Sequence, residues 1–239
     1  MQRYFGSIVD HKVLLNNDDI HHLLKVMRVH INDEIEVVSD EIPFLCVIKS
    51  LKPLEIVVKK QIHEKRELDN KVTLICALLK GDKLNFVLQK ATELGVYEIV
   101  LLASDRTIIK SKDFDSSHKL ERYNRILKEA SEQCHRNKIP LMYRLISIDD
   151  LGKIKGDVKM IAYEQEAGKT DSFFAQIKKI GKDDRVNIVI GPEGGFTDKE
   201  IEIAKNNGYV PVSLGRRILR AETASLYALS VISAFLERK

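Results

Sequence analysis

Several things are scarce in this sequence, and each scarcity excludes a class of protein. A helix that crosses a bilayer needs about 20 consecutive, mostly apolar residues, and no such run occurs among the 239 residues. The first residues, Met1-Gln-Arg-Tyr-Phe-Gly6, lack the apolar core of a secretory signal. A cytoplasmic protein with no membrane partner is therefore expected. Cysteine is rare: Cys46, Cys76 and Cys134 are odd in number, far apart and in no paired spacing. That pattern suggests neither a disulfide framework nor a zinc site, and buried thiols are expected. All seven histidines lie at or before His135. A histidine-dependent metal or triad chemistry in the last third is thus disfavoured, and no metal is expected. Internal repeats and low-complexity tracts are missing.

What is present is enough for a real core. Hydrophobic residues make up 44% of the chain, sufficient for one large or two modest domains. The net charge is only +4. Its basic excess falls in the middle of the chain, which is compatible with a polyanion partner but equally with charged helices facing water.

Residues 1–70 carry short β-type runs at Gln2–Phe5, His11–Leu15, Glu34–Ser39, Phe44–Leu51 and Leu54–Lys60. Between them Asp18 or Asp19 is expected to cap one helix, Ile20–Met27. A small β-barrel with one helix fits this pattern, and the charged stretch His63–Asn70 reads as a linker. From Val72 the grammar changes to alternating strands and helices. Strands are expected at Val72–Leu79, Glu98–Ala103, Val158–Tyr163, Arg185–Ile190 and Tyr209–Leu214. Helices are expected at Asp82–Leu94, at 118–137, from Thr170 to Ile180, from Thr197, and at Glu222–Glu237. Repeated strand-helix units over residues 71–239 imply an α/β domain with a mostly parallel sheet, its ligand loops at the carboxyl ends of the strands.

Two such loops stand out. The run Arg185–Ile190 breaks abruptly into Gly191-Pro-Glu-Gly-Gly195, where three glycines in five residues let main chain approach a ligand closely. Thr197 and Glu200 then form the pattern of a capping box. Pro211 makes Tyr209–Leu214 an edge strand or a bulged one. It empties into Gly215 and a second loop in which Ile218 and Leu219 are bracketed by Arg216, Arg217 and Arg220. The first loop has neither the lysine of a phosphate-cradling P-loop nor the spacing of a dinucleotide fingerprint. It could equally be a plain strand-to-helix turn, with Glu193 a surface residue. Arginines at a helix start are commonly exposed ion pairs worth about 0–1 kcal/mol each, yet Arg is also suited to gripping a phosphate or a planar base.

Taken together, Gly191-Pro-Glu-Gly-Gly-Phe196, Leu214-Gly-Arg-Arg-Ile-Leu-Arg-Ala-Glu-Thr-Ala224, Lys90-Ala-Thr-Glu-Leu-Gly95, Glu129-Ala-Ser-Glu-Gln133 with Arg136, and His21-His-Leu-Leu-Lys-Val-Met-Arg28 carry a resemblance through nearly the whole chain. They resemble the small-subunit ribosomal RNA uridine-N3 methyltransferase family, RsmE, of the SPOUT superfamily. Met27, and the segment Gln133-Cys-His-Arg136, depart mildly from that pattern.

The resemblance implies a PUA-like β-barrel RNA-binding domain at 1–70 and a SPOUT methyltransferase domain at 71–239, tied in a deep trefoil knot. It also implies a homodimer acting on 16S ribosomal RNA or the 30S subunit with S-adenosyl-L-methionine as cofactor. Tyr163, Glu164, Ile190, Gly191, Glu193, Gly195, Leu214, Gly215, Ile218, Leu219 and Ala224 would hold that cofactor. Arg220 would stabilise charge on the uracil ring, with Glu222 orienting it or accepting the proton. Arg3, Arg28, Lys80, Lys90, Arg106, Gln133 and Arg136 would contact RNA. The alternatives are a non-catalytic RNA-binding protein of ribosome assembly, and an α/β enzyme using the glycine loop as an anion site.

Overall fold

The computed structural model describes residues 1–107, 117–166 and 172–238. The chain separates into two compact units, Met1–Glu67 with Lys128–Ile139, and Leu68–Leu127 with Pro140–Lys239. The sequence pattern places the border after residue 70. The compact units part three residues earlier, and a stretch of chain from well downstream belongs with the first of them, a return that local periodicity does not register.

The first unit is built on six strands, β1 (Arg3–Phe5), β2 (Ser7–Val9), β3 (Lys12–Leu14), β4 (Glu34–Ser39), β5 (Ile42–Leu51) and β6 (Leu54–Gln61). They lie in the order β1-β4-β5-β6-β3-β2, with β1 parallel to β4 and the other pairs antiparallel. Alternate residues Ile35 and Val37 of β4 meet Cys46 and Ile48 of β5, and with Tyr4, Leu23 and Ile56 they form a buried core. Period-two alternation of this kind is what fixes strand register, because a slip of one residue would turn every apolar side chain outward.

The helix between β3 and β4, α1 (Asn17–His21), starts earlier than expected. Its cap is Asn16, whose Oδ1 accepts from the Asp19 amide at 2.8 Å, rather than Asp18 or Asp19. Those two acids instead occupy the first turn, where they complement the helix dipole. Buried Asp19 also pairs with Lys128. The helix widens into a π turn over His22–Val26.

The second unit alternates β7 (Lys71–Ala77), α2 (Lys83–Glu93), β8 (Glu98–Ala103), α3 (Ser117–Gln133), β9 (Leu141–Ser147), β10 (Val158–Ala162), α4 (Ser172–Ile177), β11 (Arg185–Ile190), α5 (Asp198–Asn206), β12 (Val210–Val212) and α6 (Ala221–Leu236). The last part of α3, from Lys128, is counted with the first unit. The strand order is β12-β10-β11-β7-β8-β9, and every neighbouring pair is parallel. Pro211 duly sits in an edge strand, where its missing N–H is harmless. The strand β9 at the opposite edge is not anticipated by the sequence pattern. Thr170, the expected cap of α4, lies outside the described residues.

Central strands are buried on both faces, as a parallel sheet requires. Ile75, Val100, Leu102, Ile161 and Val189 pack with Phe196, Ile201, Ala204 and Tyr209 in one cluster. On α6 the buried residues Ala221, Ala224, Ser225, Ala228, Leu229, Ile232 and Leu236 recur every three or four positions, the stripe of a helix lying on a sheet. Two of the three thiols, Cys46 and Cys76, are buried, whereas Cys134 is only half-buried.

Candidate active site

The strands β10, β11 and β12 end on the same side of the parallel sheet, and the turns that follow them wall a cavity of about 260 Å³. It lies at the carboxyl ends of these strands, the usual side for ligands in an open α/β sheet. Tyr163 and Glu164 come from the first turn, Ile190 to Glu193 with Gly195 and Phe196 from the second, and Ser213 to Gly215 with Arg217 to Ala221 and Ala224 from the third.

Glycine is required here by geometry. A Cβ on Gly191 would stand 3.0 Å from the ring of Phe196, a buried residue. Gly195 has φ +68°, and a Cβ there would come within 3.1 Å of both carboxylate oxygens of Glu164. Gly215 has φ +124°, a conformation open in practice only to glycine.

The loop is held from below. Thr197 Oγ1 accepts from the Glu200 amide at 3.2 Å, and Glu200 Oε2 accepts from the Thr197 amide at 2.8 Å, so the capping box is formed. Glu200 is buried, and its other oxygen accepts from the Asp105 amide at 2.9 Å. Burial pushes this carboxyl up, but the main-chain donors of Thr197 and Asp105 outweigh it and hold it below the usual carboxylate range. Arg106 donates to the carbonyl of Gly194 at 2.8 Å. Tyr163 donates to Asp198 at 2.6 Å, which with burial raises the phenol to about 12.

The third turn ends in Arg220, the N-cap residue of α6, with φ −63°, ψ 151° and no side-chain cap bond. Its side chain is exposed and borders the cavity. Ile218, at 82% exposure, stands at the rim.

These features fit S-adenosylmethionine: a crevice of main chain and apolar side chains for its nucleoside, glycines where a Cβ would intrude, and no metal-type donor set called for. Among the described residues no cluster of three or more His, Cys, Asp or Glu side chains could hold a metal ion.

A family model described as an RNA methyltransferase domain matches residues 66–233, and one described as an RNA methyltransferase PUA domain matches residues 15–61. The ribosomal RNA small subunit methyltransferase E of Bacillus subtilis is 35% identical to this chain over 246 residues, covering 98% of it and 96% of the relative. The chain belongs to the ribosomal RNA small subunit methyltransferase E family. The same enzyme of Synechocystis is 32% identical over 97% of this chain and 76% of its own length. A crystal structure of the Neisseria gonorrhoeae enzyme bound to S-adenosyl methionine superposes with a TM-score of 0.85 at 28% identity, covering 98% of this chain and 97% of that one.

For a member of the methyltransferase E family, the residues expected from the sequence divide sharply. All eleven expected cofactor residues border the cavity, and so does Arg220. Glu222 does not line it. Its carboxylate makes no hydrogen bond to Arg220; Oε2 is buried without a hydrogen-bond partner and lies 4.0 Å from Lys83 Nζ. Ala162, Pro192, Phe196, Ser213, Arg217 and Ala221 complete the lining and are absent from the sequence-based set. Their adjacency to the glycine and arginine motifs was the available signal.

The seven expected RNA contacts also divide. Arg28 is exposed and held at φ +52° after the π turn. Lys80, Arg106 and Gln133 are exposed as well, while Lys90 is half-buried and paired with Glu93 at 2.7 Å. Arg3 is fully buried. It bonds Glu36 at 2.8 Å, the carbonyls of His135 and Arg136 at 2.6 and 3.1 Å, and Asn137 Oδ1 at 2.7 Å. Arg136 is 4% exposed and makes a two-pronged contact with Glu67. Both are structural ties within the first unit, which removes them from the RNA-facing set, because a guanidinium enclosed by carbonyls and carboxylates has no room for a phosphate.

Proposed function

We propose that this protein methylates N3 of a uridine in 16S ribosomal RNA of the small subunit, with S-adenosyl-L-methionine as methyl donor. The observation that carries this reading is the cavity between the three turns, lined by Gly191, Gly195 and Gly215 and bordered by the exposed guanidinium of Arg220. Membership of the methyltransferase E family supports the substrate class. The cofactor, when bound, supplies a methyl on sulfonium: the S–C bond breaks as N3–C forms, giving S-adenosylhomocysteine and a methylated base.

The chain's own residues then have two tasks. The first is to hold the donor in line. Main chain at Leu214 to Leu219 and the floor at Ile190 to Gly195 would do so, with Tyr163, Glu164, Glu193 and Ala224 closing the sides. The second is to make N3 nucleophilic. The imide proton must leave, which places negative charge on the ring, and Arg220 at the mouth would stabilise that charge. Glu222 would receive the proton. Its carboxylate follows Arg220 by two residues and has Oε2 buried, 4.0 Å from Lys83 Nζ.

Arg28 in the first unit and Lys80, Lys90 and Arg106 in the second, with Gln133, would hold RNA phosphates and offset the cost of unstacking the target base, a few kcal/mol. The remaining parts of the reading are a SPOUT fold whose last strands and loops form a trefoil knot, a homodimer with the site at the subunit interface, and a cytoplasmic location beside the ribosome. Partly apolar positions left exposed on the helices of the second unit, Phe86 at 45% and Tyr227 at 38%, support a second copy as partner.

The test is methyl transfer from labelled S-adenosylmethionine to small subunits from cells lacking this protein, with the modified base identified by mass spectrometry. The expected product is a single N3-methyluridine, formed by the parent and not by Arg220→Ala. A protein that binds RNA but neither the cofactor nor its demethylated product would be the non-catalytic alternative.

A further inference from the structure

We propose that Lys83 is the positioning residue that sets the two cavity loops against each other. The proposal rests on the cofactor reading above, and its test separates the two. The strands that deliver the glycine loop and the arginine loop, β11 and β12, are not neighbours, because β10 lies between them. The strands are tied only through β10, and among the described residues the loops that continue beyond them are not paired with each other. A side chain from outside links the two loops.

Lys83, the first residue of α2, places Nζ 2.9 Å from Glu193 Oε1 in the first loop and 4.0 Å from Glu222 Oε2 just beyond the second. The three side chains are 38%, 29% and 17% exposed, so the contact is only partly screened by water. Burial pushes the Glu193 carboxyl up, yet the bond from Lys83 prevails and keeps it below the usual carboxylate range.

One ammonium thus lies between two carboxylates that would otherwise repel. Its position also runs against local preference. A cation in the first turn of a helix opposes the helix dipole, and α2 has no acidic residue there to compensate. The two acids it faces offset that placement. Since Glu193 borders the cavity, removing the ammonium should let its loop move away from the third turn. The donor site would then have to be assembled at the expense of binding.

The experiment measures the affinity of the full-length protein for S-adenosylhomocysteine by calorimetry, alongside its melting temperature. Lys83→Met is expected to weaken binding by ~10-fold or more with the melting temperature unchanged, since one partly exposed pair adds little to global stability. Lys83→Arg should restore binding to within ~3-fold, because the contact is that of a point charge and not a planar fork. Glu193→Gln should weaken binding in the parent but add nothing further to Lys83→Met. Unchanged affinity in Lys83→Met overturns the proposal, and so does an equal loss in Lys83→Met and Lys83→Arg. Failure of the parent itself to bind would instead overturn the cofactor reading, and this proposal with it.

Discussion

Arg3 donates from Nη1 to the main-chain carbonyl of His135 at 2.6 Å, across 132 residues of sequence. His135 lies just beyond the end of α3, and a guanidinium from the first strand supplies a donor to the turn that closes the helix. His135 itself is in the left-handed region, φ +59°, as a residue closing a helix often is, and its ring nitrogen meets Glu36 at 2.9 Å.

Replacing Arg3 by Met should therefore act on stability. Removing one member of a buried ion pair costs about 3–5 kcal/mol, because the other charge stays behind without compensation. Urea unfolding followed by circular dichroism should show the loss, with affinity for S-adenosylhomocysteine unaffected. An RNA-contact role would give the reverse: intact stability and weakened RNA binding.

The same cluster makes the first unit sensitive to acid. Burial pushes the Glu36 carboxyl up, but hydrogen bonds and charge from Arg3 and His135 outweigh it and bring it below the ordinary value of 4.5. A carboxyl depressed in the folded state contributes stability above its unfolded pKa and loses it as pH falls through the folded one. Stability should be flat near neutrality and decline below about pH 4.5. A Glu36→Gln protein should be weaker at neutral pH and should decline less steeply on acidification. Equal slopes for parent and variant would contradict the assignment.

Gly195→Ala tests the glycine loop. The new methyl must adopt φ +68° and meet Glu164 at 3.1 Å, so the loop should shift out of its binding conformation. The expected result is a loss of ~10-fold or more in cofactor affinity, with a stability change of about 1 kcal/mol or slightly more for an alanine at positive φ. Gly81→Ala is the control: it has φ +60° but nothing within 4 Å of its Cβ and no place in the cavity. It should lose comparable stability while keeping its affinity.

Glu200→Ala should be worse than Thr197→Ala. Loss of the hydroxyl cap removes one bond, about 1 kcal/mol. Loss of the carboxylate leaves the amides of Thr197 and Asp105 without their acceptor, at roughly 1–3 kcal/mol each. Thermal melts of the two variants give the order.

What could be read in the sequence was what depends on near neighbours. The Thr197–Glu200 box is an i, i+3 pattern, and it is formed. Pro211 forbids a central strand, and β12 is at the edge. Glycines at 191, 195 and 215 announce loops whose need for them is steric. What could not be read depended on distant partners. Arg3 and Arg136 look like any surface arginine until Asn137, Glu36 and Glu67 are brought to them by the return of Lys128–Ile139 to the first unit. Glu222 follows Arg220 by two residues, yet its carboxylate faces Lys83, a residue from another helix. Asn16 is the cap of α1 although two aspartates follow it, one of which is taken by Lys128. The edge strand β9 needs only one neighbour, β8, and its tolerance of partial exposure, Leu141 being 42% exposed, blurs the apolar run that marks a central strand.

The slot between β7 and β10 is filled by β11, a strand synthesised after both of them. A nascent chain that has emerged only as far as β10 can pair β7 with β8 and β8 with β9, yet the other edge of β7 and the strand β10 have no partner until Arg185–Ile190 arrives. Parallel pairings between such remote segments form slowly. The donor crevice, whose walls all follow β10, β11 and β12, is consequently among the last features of the molecule to exist, so a half-made enzyme has nothing with which to capture the cofactor.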